Sequence, residues 1–137
     1  MPKSLFFRLF GLGKIPADQL LTLRQEGLLL LDEGVTGFVT YKNFRSPGRI
    51  SSWRRKGLIA SIAITNVRLL AVSLSNPLID IPFSDPRFGS INFSQVKGAL
   101  CISFDPSLFH HNWSGTIEYR FRTSMAQHCL NLVQQFI

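Results

Sequence analysis

Between Leu28 and Arg122 the apolar residues come in short runs broken by turn residues, and helical spacing appears only at the two ends of the chain. Strands bury every second residue and helices a stripe of period 3.6. The pattern therefore predicts a sheet built from the middle of the chain, with one helix before it and one after. The cleanest element is 116–122, where Ile117, Tyr119 and Phe121 alternate with Glu118, Arg120 and Arg122. That alternation marks an antiparallel strand with one face buried and the other solvated. Leu100, Ile102 and Phe104 share a face of a second strand, which Asp105-Pro106 closes. Residues 28–31 and 35–41 are rich in strand formers, with Gly34 as a bulge or turn between them. Residues 58–64 and 67–73 read as a hairpin around Thr65-Asn66. Residues 78–83 read as a further short strand with Pro82 at an edge or end, and Asp85-Pro86 opens an irregular connection.

At the front, Pro16, Asp18, Arg24 and Gly27 fit the first turn, the positive end, the negative end and the stop of a helix over 16–26. At the back, Ser124 and Gln127 have the spacing of a capping box. Met125, Ala126, Cys129, Leu130, Val133, Phe136 and Ile137 then form one apolar stripe. A stripe of that kind must bury. The expected fold is therefore α+β and mainly β: a curved antiparallel sheet or open barrel plugged by the C-terminal helix, with a short N-terminal helix. Nothing in the pattern supports a parallel βαβ sheet. With 137 residues, 12 of them Phe, the chain is long enough for one domain over 16–137 with its own core.

Residues 1–15 form a separate apolar and cationic segment in which Leu5, Phe6, Leu9, Phe10 and Leu12 surround Arg8. It is too short and too interrupted for a membrane span, and it lacks the small-residue site of a signal peptide. It reads as a strip that packs on its own domain or a partner, with a short helix in a membrane interface as the other option. Cys101 and Cys129 have no disulfide or zinc spacing and read as buried thiols in a reducing compartment.

The charge is unevenly placed. The chain carries 15 Lys and Arg against 8 Asp and Glu, and residues 1–33 and 80–137 each balance. The whole excess of +7 falls in 34–79, on Lys42, Arg45, Arg49, Arg54, Arg55, Lys56 and Arg68. Six of these lie in 42–56, where Pro47-Gly48 marks the middle of a long loop or an extended hairpin tip. Such a field attracts phosphate or carboxylate. Trp53 and Phe44 add aromatic rings that suit a lipid interface.

Catalytic patterns are absent. His110-His111 are chain neighbours and do not converge on a metal as a helical i, i+4 pair would. The acids are scattered, and Asp32-Glu33 is the one adjacent pair. No serine sits in a nucleophile elbow, and Gly34, Gly37, Gly48 and Gly57 form no phosphate loop. The chain is read as a non-enzyme with no cofactor and no metal.

The order helix, strands, basic loop, hairpin, strands, helix resembles the pleckstrin-homology-like superfold, in particular its GRAM and bacterial branches. The residues that carry the resemblance are Ile62 to Leu70, similar to a strand, Thr-x-x-Arg-Leu turn, strand signature. Ile79-Asp80-Ile81-Pro82-Phe83 and the strand Ile117 to Arg122 before the last helix add to it. Lys42 with Arg54-Arg55-Lys56 looks like the basic spacing that holds inositol phosphates in that superfold, with Lys56 where tight binders have arginine. The resemblance implies a non-catalytic binding module. On that reading Lys42, Arg45, Arg49, Trp53, Arg54, Arg55 and Lys56 dock on anionic lipid headgroups or an acidic protein surface, placing the protein in the cytoplasm at the membrane periphery. The alternative is a self-assembling homo-oligomer, and nucleic-acid binding ranks below both.

Overall fold

A computed structural model describes residues 15–74 and 76–136 of the chain. Seven strands, β1 (Leu28–Ser46), β2 (Arg49–Thr65), β3 (Arg68–Ser73), β4 (Asn76–Pro82), β5 (Asn92–Val96), β6 (Ala99–Phe104) and β7 (Ser114–Phe121), make one sheet. Helix α1 (Ala17–Gln25) precedes them and α2 (Ala126–Gln134) follows. Every neighbouring pair is antiparallel and the order is β4-β3-β2-β1-β7-β6-β5, with β4 and β5 as the edges. The mainly β architecture with a helix at each end is as the periodicity predicts. The opening residues 1–14 and Ile137 lie outside the described residues.

The sheet buries both faces, each against a different helix. Val39, Ile62, Ile64, Leu100, Ile102, Ile117 and Phe121 line a core face that α2 covers with Ala126, Cys129, Leu130 and Val133. Of the apolar stripe read from the sequence these four lie in the main core with Phe136 half-buried against it, Met125 is exposed, and Leu132, outside the stripe, is buried in its place. Burial pushes the Cys129 thiol up to about 12, and nearby Asp32 adds to the effect; Cys101 is buried as well. On the outer face Ile15 and Leu23 pack on Ala63, Leu70 and Val72, seating α1 over β2 and β3.

Three local devices shape the sheet. Gly34, at φ 73°, sits in a break of β1–β2 register between Asp32 and Val35, so it is a bulge inside one strand. A Cβ on Gly37 would stand 2.1 Å from the Arg120 carbonyl oxygen, so only glycine lets β1 lie this close to β7. At the β2–β3 turn the Thr65 hydroxyl accepts the N–H groups of Val67 (3.0 Å) and Arg68 (3.1 Å). It also lies 3.1 Å from Glu26 Oε1, to which it donates. Arg68 then clamps Glu26 (3.0 Å) and Asp80 (3.1 Å). Partial burial opposes charge on Arg68, but the hydrogen bonds to Glu26 and Asp80 outweigh it and hold the guanidinium above its usual range. The Thr-x-x-Arg sequence is thus a staple joining α1, the turn and β4.

Several expectations are corrected. The linker of the β2–β3 hairpin is Asn66-Val67, one residue later than read. The capping box does not form: Met125 stands at the helix start, and its N–H is taken at 3.1 Å by Thr123, not Ser124. Thr123 is buried and donates its own hydroxyl proton to Asp32, which fixes it in the turn ahead of the helix. The connection after Asp85 is only partly irregular, because it contains strand β5. Residues 42–56 are not a loop but the far end of the long β1–β2 hairpin arm, the extended-hairpin alternative, with β1 and β2 paired as far as Ser46 and Arg49 and β7 alongside β1 as far as Arg45.

Candidate anion-binding site

Strand geometry decides where the basic residues go. In the arm Tyr41 pairs with Arg54, Thr40 with Arg55, and Val39 with Lys56. Neighbouring side chains on a strand point to opposite faces. The triplet Arg54-Arg55-Lys56 is therefore split. Arg54 and Lys56 share the core face with Tyr41 and Val39, while Arg55 shares the outer face with Trp53, Thr40 and Lys42. The seven residues picked from the sequence do not form one site.

They fall into three groups. At the tip, Arg45, Arg49 and the exposed Ile50 (77%) surround the Pro47-Gly48 turn. Trp53, 58% exposed, follows on the outer face. Phe44 is corrected: it is only 3% exposed and packs edge-on against Tyr41 and Trp113, so it belongs to the core and has no ring to offer a membrane. On the core face Lys56 lines a cavity of about 490 Å³ together with Tyr41, Leu58, Leu74, Leu78 and Tyr119. Burial pushes the Tyr119 hydroxyl up to about 12, with Tyr41 adding to it, so it stays protonated at neutral pH.

The third group is on the outer face. There a pocket of about 450 Å³ is lined by Phe38, Arg55, Arg120, Arg122, Lys97 and the Gly98-Ala99 backbone. Phe38 is the one aromatic residue of that lining. The Arg55 guanidinium lies 4.1 Å from the Phe38 ring centroid and that of Arg120 5.5 Å, so one ring between β2 and β7 is in cation–π range of two like charges. Arg55 also donates to the Thr40 hydroxyl at 3.3 Å. Lys97 and Gly98, both at positive φ, make the tight β5–β6 turn that brings the lysine to the rim.

One acid stands beside this pocket. Glu118 bonds Lys42 at 3.5 Å and Arg120 at 3.4 Å. Both contacts are long. Arg120 Nε is buried and has no hydrogen-bond partner among the described residues. An unsatisfied buried N–H costs about 1–3 kcal/mol. Arg55, Lys97 and Arg122 make no ion pair among the described residues. The remaining acids of the C-terminal half are engaged elsewhere: Asp80 with Arg68, Asp85 with Arg87, and Asp105 with the Ser107 N–H.

Lys97, Arg120 and Arg122 were missed at the sequence level because their segment sums to zero along the chain. The signal that could have found them was the alternation of 116–122, which already points Arg120 and Arg122 outward. Among the described residues no His, Cys, Asp or Glu cluster could hold a metal, and no helix is long and apolar enough to cross a membrane. His110 stacks on Trp113 with ring centroids 3.9 Å apart. Neither a scan against protein-family models nor a search of curated proteins finds a match for the chain.

Proposed function

We propose that this protein is a non-catalytic binding module of the pleckstrin-homology-like kind, close in plan to the GRAM and bacterial branches, and that it docks on anionic membrane surfaces through the tip of the β1–β2 arm. The observation that carries this reading is the tip itself. Ile50 and Trp53 are exposed apolar side chains on an arm where six cations, Lys42 to Lys56, meet no acid in sequence. Apolar groups at the end of a basic strand pair suit a headgroup layer, where each Lys or Arg near the surface contributes about 1 kcal/mol. An acidic protein would satisfy the charges but gives no reason for Ile50 at the extremity. The sheet order, with α2 after β7 and the stapled Thr65-to-Arg68 turn, supports the fold side of the proposal.

Co-sedimentation of the full chain with vesicles tests it. Binding to phosphatidylglycerol vesicles that fades with added salt, is absent on phosphatidylcholine, and drops at least tenfold in Arg45→Glu/Arg49→Glu is expected. Equal binding to both lipids, or to neither, overturns the reading.

A second reading is favoured by β5. This edge strand, Asn-Phe-Ser-Gln-Val, carries neither charge nor proline, whereas β4 has Pro77 and Pro82. An unguarded edge is a template for pairing with another chain, and self-assembly through it is the alternative function. Light scattering at single-chain mass across a concentration series removes it.

A further inference from the structure

We infer that the outer pocket between β1, β7 and the β5–β6 turn is a binding site for a phosphomonoester, with Arg120 and Arg122 as its principal anion ligands and Arg55 and Lys97 closing around it. This site is distinct from the arm tip, and it does not rest on the membrane reading, because a soluble phosphate ester can fill it.

Four observations meet here. Four cations from three separate stretches of chain line one pocket. Among the described residues only Glu118 is paired with any of them, and it is shared with Lys42. Arg120 keeps Nε buried and unpartnered, while its one ion pair is made by Nη2 at 3.4 Å. Phe38 puts an aromatic ring in cation–π range of the Arg55 and Arg120 guanidinium groups. Arg120 Nη1 makes no hydrogen bond among the described residues, so the guanidinium has donors left for the charge-assisted grip by which arginine holds phosphate.

The chemistry selects within the anions. A phosphomonoester carries nearly two charges at neutral pH and three free acceptor oxygens. A phosphodiester has one charge and two free oxygens, and so leaves part of this donor set unused. The volume, about 450 Å³, exceeds that of a phosphate alone. It leaves room for the group the phosphate is attached to, lying over the Phe38 ring and the glycine of the turn.

The experiment has two arms, both on the full chain. In the first, glycerol 3-phosphate is titrated against the 15N-labelled protein, with glycerol and sodium sulfate as controls. Saturable shifts at the amides of Phe38, Gly98, Ala99, Arg120 and Arg122, at least fivefold weaker in Arg120→Gln, support the site. In the second, vesicles of phosphatidic acid and phosphatidylglycerol are compared at matched surface charge. A preference for phosphatidic acid that disappears in Arg122→Gln, with phosphatidylglycerol binding unchanged, identifies a lipid headgroup as the source. Shifts with glycerol 3-phosphate but no lipid preference identify a soluble ester. The proposal is overturned if the shifts are absent, if they map to the arm tip, or if sulfate and glycerol 3-phosphate bind alike. Loss of all vesicle binding in Arg45→Glu/Arg49→Glu with these shifts intact separates the two sites. An unchanged 15N spectrum away from the pocket in Arg120→Gln shows that the variant is folded.

Discussion

The β2–β3 turn and the outer pocket each centre on a part-buried arginine, and the two are treated in opposite ways. Arg68 holds two carboxylates at 3.0 and 3.1 Å while Thr65 organises the backbone beside it. Arg120 has one contact at 3.4 Å and a buried Nε with no partner. Arg68 commits Nε and Nη1 to carboxylates of its own fold and so serves stability. An arginine that is held in place yet left with a donor to spare is arranged for something the chain does not contain. The difference separates a structural arginine from a binding one without appeal to exposure, since their side chains are 22% and 29% exposed.

The comparison breaks most easily at its stronger half. Arg68→Ala leaves Glu26 and Asp80 without their shared cation and is expected to lower unfolding stability by about 2–3 kcal/mol in urea melts. A loss below about 0.5 kcal/mol would reduce the staple to a surface ion pair. Thr65→Val keeps the shape of the side chain and removes the acceptor of two backbone N–H groups, with an expected loss of about 1–2 kcal/mol by the same measurement. Because Thr65 and Arg68 share Glu26, the double variant should fall short of the sum of the two.

Arg120→Met sharpens the other half. It removes an unsatisfied donor along with a long ion pair, so stability should change by less than about 0.5 kcal/mol in either direction, while glycerol 3-phosphate shifts vanish. A loss as large as that of Arg68→Ala would make Arg120 structural.

Arg87 supplies the control, satisfied but on the surface. It bonds Asp85 at 2.6 Å, and the Arg87 hydrogen bonds hold the Asp85 carboxyl down at about 2, against an ordinary 3.8. A carboxylate with a lowered folded pKa adds its stabilisation above the unfolded value. That contribution fades as pH falls from about 4 towards 2. A carboxyl 13C titration should place the Asp85 midpoint near 2, rising towards the ordinary range in Arg87→Ala. The accompanying stability change should be the smallest of the series, because the Arg87 side chain is 48% exposed and water screens the pair.

How much of this was legible along the chain depends on whether one face of an element is buried. Ile117, Tyr119 and Phe121 announced β7 because water and core alternate there. Strand β5 gave no such signal: only Phe93 is even half-buried, so polar residues occupy both faces. The basic cluster was visible as composition, yet its division was not drawn, although the period of two that splits Arg54, Arg55 and Lys56 is a property of any strand. The outer pocket needed the strand order. Arg55 and Arg120 are 65 residues apart in sequence and meet only because β7 pairs with β1. Summing charge by segment hid it, since the acids that balanced Lys97, Arg120 and Arg122 on paper lie beside other partners in space.

The length of the β1–β2 arm has a further consequence, for how a chain of this kind can diversify. From the Val39–Lys56 pair to the Ser46–Arg49 pair is seven residues on each strand, or about 23 Å of ribbon. Changes more than about 10 Å apart with no shared partner add independently. Tip residues such as Arg49 and Ile50 can therefore drift in sequence while the α2 core and the Arg68 staple stay under their own constraints, provided Phe44, inside the ribbon, keeps its place in the core. Lineages can retune what the arm touches without first acquiring spare stability.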